Sequence, residues 1–107
     1  MFTRIVECYV KAEQREEFRK RIQSVVLPIL ESQVGFVDLL ALSSEDEPER
    51  MLAISFWRSR GDEERYHREH YQEIVDGLRP LLRDDPSIEF YNVDASTTHR
   101  IQLGKAA

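Results

Sequence analysis

The sequence predicts an α+β domain of ferredoxin-like βαββαβ layout, a four-stranded antiparallel sheet with two helices on one face. Three observations lead there. Short runs rich in Ile, Val, Leu and aromatic residues stand at 2–10, 36–43, 50–57 and 88–93. Two longer stretches, 13–32 and 59–83, carry their apolar residues at helical spacing instead. The resulting order of strand, helix, strand, strand, helix, strand packs as one sheet with both helices on a single side.

The first strand, Phe2 to Val10, is rich in Ile, Val and Tyr with mixed polarity. Phe18, Ile22, Val25, Val26, Ile29 and Leu30 then recur at helical spacing among Arg, Lys, Glu and Gln, which predicts an amphipathic helix over 13–32. Pro28 inside that pattern is expected to kink the helix or end its regular part, and Gly35 is a plausible stop. The second and third strands, Phe36 to Ser43 and Arg50 to Trp57, flank an acidic connection, Ser44-Glu45-Asp46-Glu47-Pro48-Glu49. Ser59 with Asp62 three residues on has the form of a capping box and starts a second helix running to about Arg83, weakened late by Gly77 and Pro80. Asp84-Asp85-Pro86 makes a turn before the fourth strand, Ile88 to Val93. The domain is expected to span residues 1–94, with 95–107 a C-terminal tail or arm.

At 107 residues there is room for one domain, and a chain this short gains from any further interface. Such an interface is expected. In the second strand Phe36, Leu40 and Leu42 oppose Val37, Leu39 and Ala41, and in the third Leu52, Ile54 and Phe56 oppose Met51, Ala53 and Trp57. Both sheet faces are therefore apolar, while the chain's own helices cover one. A second copy packing sheet against sheet, a homodimer, is the economical cover.

A net charge of −5, with bases interleaved among acids, leaves no basic stripe for nucleic acid or an anionic membrane surface. The single cysteine, Cys8, has no internal disulfide partner, and no apolar run resembles a secretion signal or a membrane span; a cytoplasmic location is the expectation.

Projected at 100° per residue, the second helix places His67, Tyr71, Ile74, Leu78 and Leu81 on its apolar side with His70 at the edge. His67 is thus expected to point toward the sheet, either as a proton-transfer group or as a histidine satisfied by neighbouring carbonyls. Tyr66, His67, His70, Tyr71 and Trp57 together suit a flat phenolic or quinone-like small molecule, although aromatic residues at this spacing also build simple cores. Tyr91 and Asn92 on the last strand can add a donor or acceptor, their facing set by register. Glu63, His67 and His70 share a helix face, but His99 in the tail is the one further histidine, so no metal is expected. No glycine-rich loop offers a phosphate or dinucleotide cradle, and no cofactor is expected. No Gly-x-Ser-x-Gly elbow or adjacent Cys–His pair points to covalent catalysis.

The run Gly35-Phe36-Val37-Asp38-Leu39, the acidic hairpin, Ile54-Ser55-Phe56-Trp57, and a charged helix start leading to Tyr66-His67-Arg68-Glu69-His70-Tyr71 resemble the antibiotic biosynthesis monooxygenase family. The resemblance covers residues 2 to 94 and implies a dimeric α/β barrel with a pocket between sheet and helices near Trp57. That residue matches the family's tryptophan at the end of the third strand. The family's helix histidine most nearly matches His67, with Tyr66 one position before it. The haem-degrading branch implies an asparagine on the first strand, where this chain has Arg4, Ile5, Val6 and Glu7. The cofactor-free branch implies a monooxygenase acting on a phenolic, quinol or polyketide-like aromatic substrate. In it His67 is the base, Tyr66, His70 or Asn92 are hydrogen-bonding partners, and Trp57, Tyr71 and Tyr91 belong to the substrate's surroundings. The alternatives are a non-catalytic small-ligand-binding or assembly domain of the same fold, or a cofactor-free isomerase.

Overall fold

β1 (Phe2–Tyr9) is an inner strand, paired antiparallel with both β3 (Arg50–Trp57) and β4 (Ser87–Asn92), while β2 (Phe36–Ser43) completes the order β2-β3-β1-β4. This computed structural model describes residues 1–99. The ferredoxin-like α+β architecture is the one the element order predicts. Val10 extends β1 through an isolated bridge to Leu82. Residues 100–107 of the expected tail lie outside the described part.

Each helical arm is built in three pieces. The first comprises α1 (Arg15–Arg21), a π turn at Ile22–Val26 and α2 (Leu27–Glu31). Pro28 neither ends nor replaces this arm: it sits in the first turn of α2, immediately after the widened turn, where its missing N–H is tolerated. The second comprises α3 (Arg60–Tyr66), a π turn at His67–Tyr71 and α4 (Gln72–Leu78). Ser59 caps α3 as its sequence context predicts, its Oγ accepting the Asp62 amide at 3.2 Å. The regular helix stops at Leu78, short of the expected Arg83, and a 3-10 turn containing Pro80 follows at Arg79–Leu81.

Register assigns the sheet faces. Phe2, Arg4, Val6 and Cys8 of β1 stand opposite Trp57, Ser55, Ala53 and Met51 of β3. This face meets the helices, and the core of Phe18, Val26, Leu30, Ile74, Leu78 and their neighbours forms against it. The other face carries Ile5, Leu52, Ile54 and Phe56 at its centre and Leu40 and Leu42 toward the β2 edge, the last two 45% and 47% exposed. Part of it is met by the chain itself: His99 lies 5.6 Å from the ring of Phe56 and 3.7 Å from the Asp38 carboxylate.

One facing expectation is corrected. A register shift between Phe36 and Asp38 puts Phe36 opposite Trp57, on the same side as Leu39 and Ala41 instead of with Leu40 and Leu42. Strict alternation fails there because the bulge inserts a residue. The edge-on contact of Phe36 with Trp57, 5.5 Å between ring centres, follows from it.

No helix among the described residues is long and apolar enough to cross a membrane.

Candidate active site

A cavity of about 380 Å³ separates the sheet from the helices. Val6, Cys8 and Ala53 form its floor, and Ile22 and Val26 of the first π turn with Leu78 of α4 form its roof. Its exposed lining residues are Ala41, Leu42 and Ser43 of β2 and Arg19 and Gln23 of the first helical arm, so it opens between that strand and that arm. The deep end is polar and is made by Arg4, Ser55, Tyr66 and Tyr71.

Arg4 dominates this end. It shares its strand face with Phe2, Val6 and Cys8 and is only 4% exposed. Its Nε lies 3.1 Å from Oε2 of Glu63, itself 2% exposed, on the first turn of α3. The two attract strongly at this distance, yet the N–H is not aimed at the carboxylate. Nε and Nη2 of Arg4 and Oε2 of Glu63 have no hydrogen-bond partner among the described residues. The guanidinium instead lies over aromatic faces, 4.3 Å from the ring centre of Tyr71 and 5.3 Å from that of Tyr66.

These contacts tune the neighbours. Burial raises the Glu63 carboxyl above the usual carboxylate range, while Arg4 pulls it down. The phenols of Tyr66 and Tyr71 are raised chiefly by burial, again opposed by Arg4, so both are neutral donors at cellular pH. The imidazole of His67 is lowered by burial and then by Arg4, which keeps it neutral. Burial pushes the Cys8 thiol up to about 11, so it is no nucleophile at neutral pH.

The residues singled out from sequence separate into groups. Tyr66 and Tyr71 line the cavity. Trp57, 0% exposed, stands behind Tyr66 at 5.2 Å and does not reach the cavity; its indole N–H donates to Ser55 Oγ at 3.0 Å. His67 does not point at the sheet as the 100° projection expects. Its side chain is 45% exposed, stacked on Tyr71 at 4.7 Å and 3.9 Å from Glu63. The π turn that begins at His67 is the reason, because its wider winding rotates the residues around it relative to an ideal helix. Tyr66 takes the inward position. His70 lies 6.2 Å from the Tyr66 ring, outside the cavity lining. Tyr91 stands opposite Thr3 on the other sheet face, its hydroxyl donating to Glu89 at 2.5 Å. Asn92 shares the helix-covered face through its pairing with Phe2 but is exposed at the sheet edge. Glu63, weighed above as a partner of His67 on a metal, pairs with Arg4, and no metal-binding group of three or more His, Cys, Asp or Glu occurs among the described residues.

Arg4 itself is what the sequence reading missed. The signal was a lone cation on the face that Phe2, Val6, Cys8 and Val10 make apolar.

The antiparallel βαββαβ domain thus encloses a mostly apolar cavity, closed at one end by a buried cation and two phenols. The chain belongs to the antibiotic biosynthesis monooxygenase family, whose model matches residues 1–77. Solved structures with the same fold include a conserved protein from Methanosarcina mazei, with 25% identity, coverage of 85% of this chain and 91% of that one, and a TM-score of 0.73. SnoaB, a cofactor-independent oxygenase from Streptomyces nogalater, aligns over 92% of this chain and 97% of its own at 17% identity and a TM-score of 0.76. The monooxygenase ActVA-Orf6 of Streptomyces coelicolor, solved with nanaomycin D, aligns over 89% and 88% at 15% identity and a TM-score of 0.77. No curated protein matches the chain.

Proposed function

We propose that this chain is a cofactor-independent monooxygenase that oxidises a small hydroxylated aromatic substrate inside the sheet–helix cavity. The observation that carries the reading is the polar deep end of that cavity, where Tyr66, Tyr71 and Ser55 surround the buried Arg4 charge. Family membership and the fold shared with oxygenases support it.

In this reading the apolar floor and roof hold the rings, and the phenol hydroxyls orient the substrate's oxygen. Loss of a substrate proton gives an electron-rich anion, favoured by the positive potential of Arg4. The proton leaves by way of Tyr71, which lines the cavity, to His67, which stacks on that ring from the solvent side and is held neutral. The anion reduces O₂. One oxygen atom becomes bonded to the ring carbon and the other leaves as water, so that CH₂ and O₂ give C=O and H₂O with the substrate supplying all electrons. Trp57 acts through Tyr66, whose ring it backs.

The reading also includes a homodimer through the sheet face opposite the helices. The half-exposed Leu40 and Leu42, beside Ile54 and Phe56, support it.

The test is oxygen uptake on a panel of quinols, anthrones and flavonols. Uptake above autoxidation, lowered in Tyr66→Phe and His67→Ala proteins of unchanged size, is the expected result. Uptake no faster than autoxidation across the panel overturns the oxygenase and leaves a ligand-binding domain of the family.

A further inference from the structure

We infer that Arg4 is an anion-binding residue, so that the cavity favours a planar conjugated ligand whose oxygen is negatively charged once bound, and that Glu63 is the resident counter-charge that moderates its grip. This deepens the monooxygenase reading by naming the ionisation state of its substrate, and rests on it only in equating the ligand with the substrate.

A guanidinium presents five N–H donors, and burial away from water makes each unmet donor costly. Arg4 is 96% removed from solvent by its 4% exposure, lines the cavity, and leaves Nη2 without a partner. Glu63 approaches Nε from the α3 side and does not line the cavity, whereas Arg4 does, so the counter-charge stands behind the guanidinium as seen from the cavity. The rings of Tyr66 and Tyr71 lie 5.3 Å and 4.3 Å from the guanidinium carbon, and Ser55 pairs with Arg4 across β1 and β3. The other titratable groups around it are Cys8, protonated by burial, and His67, kept neutral, so Glu63 is the one carboxylate set against Arg4 among the described residues. A structural arginine of this burial normally has its donors met by carbonyls or carboxylates. Here Nε and Nη2 have none among the described residues, and Arg4 borders an apolar cavity wide enough for a fused aromatic ligand.

Two anions present this chemistry, a phenolate or enolate and a carboxylate, and paired probes separate them. Binding is measured without oxygen by calorimetry, using 4-nitrophenol against 4-nitroanisole and benzoate against benzamide. The wild-type protein is expected to prefer the anion by about tenfold or more in at least one pair, the scale of a charge-assisted hydrogen bond. Preference within the first pair alone identifies a phenolate or enolate, and within the second a carboxylate. Bound 4-nitrophenol should also ionise at lower pH than the free compound, visible as phenolate absorbance. Arg4→Lys should keep part of the preference and Arg4→Gln abolish it. Glu63→Gln retains Arg4 and the cavity, and should tighten the anion several-fold while leaving its neutral isostere unchanged. Equal binding within both pairs by the wild type, or an unchanged preference in folded Arg4→Gln or Glu63→Gln protein, overturns the inference. Because no turnover is involved, failure of the oxygenase reading would show in oxygen uptake and leave this result standing.

Discussion

The guanidinium carbon of Arg4 lies 4.3 Å from the ring centre of Tyr71, and that ring stacks in turn on His67 at 4.7 Å. A strand residue at the cavity's deep end is thereby joined to an imidazole on the solvent side through one phenol. With Glu63 3.1 Å from Arg4 and 3.9 Å from His67, the four side chains form one electrostatic unit.

The Arg4–Glu63 pair is expected to be costly to break and cheap to replace. Removing one partner strands a buried charge, and Arg4→Met or Glu63→Leu alone should lower unfolding free energy by about 3–5 kcal/mol. The double replacement should lose far less than the sum. Urea unfolding of all four proteins measures this coupling, and additive losses would mean that the residues do not act as a pair.

His67 titrates below its ordinary value near 6.5. As the base, it should give a kcat/KM that falls as pH drops through that lowered pKa and is flat at neutral pH. Replacing Arg4 by Gln removes a charge that opposes the imidazolium, so the His67 pKa should rise. The linkage has the same sign: the neutral imidazole's contribution to stability is complete above 6.5 and is lost as pH falls through the folded pKa. Proton NMR of the His67 ring against pH, in both proteins, checks the direction.

Gly35 is the residue on which the β2 start and the second helix meet. Its φ is +83°, its carbonyl accepts the Arg58 amide at 2.8 Å, and a Cβ there would fall on the Asp62 carboxylate. Asp62 has little freedom to move, since its amide and carboxylate engage Ser59 and its carboxylate also engages Arg65. Gly35→Ala should therefore cost about 1–3 kcal/mol, read as a lowered urea midpoint.

The sheet face opposite the helices gives a test of assembly. A Leu40→Glu, Ile54→Glu protein places charges on that face, away from the cavity lining. It should elute as a monomer where the wild type elutes at twice the chain mass. A wild-type monomer would remove the dimer from the account.

Much of the fold was legible because period and punctuation agree. The bounds of β2 and β3 fall where their apolar runs do, and the Ser59 cap is written in Ser59 and Asp62. The facings were less legible because two local insertions shift them: the bulge at Phe36 to Asp38 and the π turn at His67–Tyr71. Neither has a composition signal of its own, and a fixed 100° step carries His67 inward where Tyr66 stands. The site was half visible. Tyr66 and Tyr71 were named from their aromatic character, while Arg4 reads as an ordinary surface cation unless its alternation with Phe2, Val6 and Cys8 is followed. Glu63 was seen as a neighbour of His67, but its pairing joins α3 to β1 across 59 residues of sequence, given its place at 63 and Arg4's at 4, and only tertiary structure supplies that.

On the proposed reaction, this cavity supports insertion of one oxygen atom from O₂ without an added cofactor. The most direct measurement is mass spectrometry of the product formed by purified protein from an accepted anthrone or quinol under ¹⁸O₂. One ¹⁸O atom per product molecule is the expected result, with incorporation lost in Arg4→Gln protein that remains folded. Product free of ¹⁸O, or labelling equal with and without the protein, would contradict it.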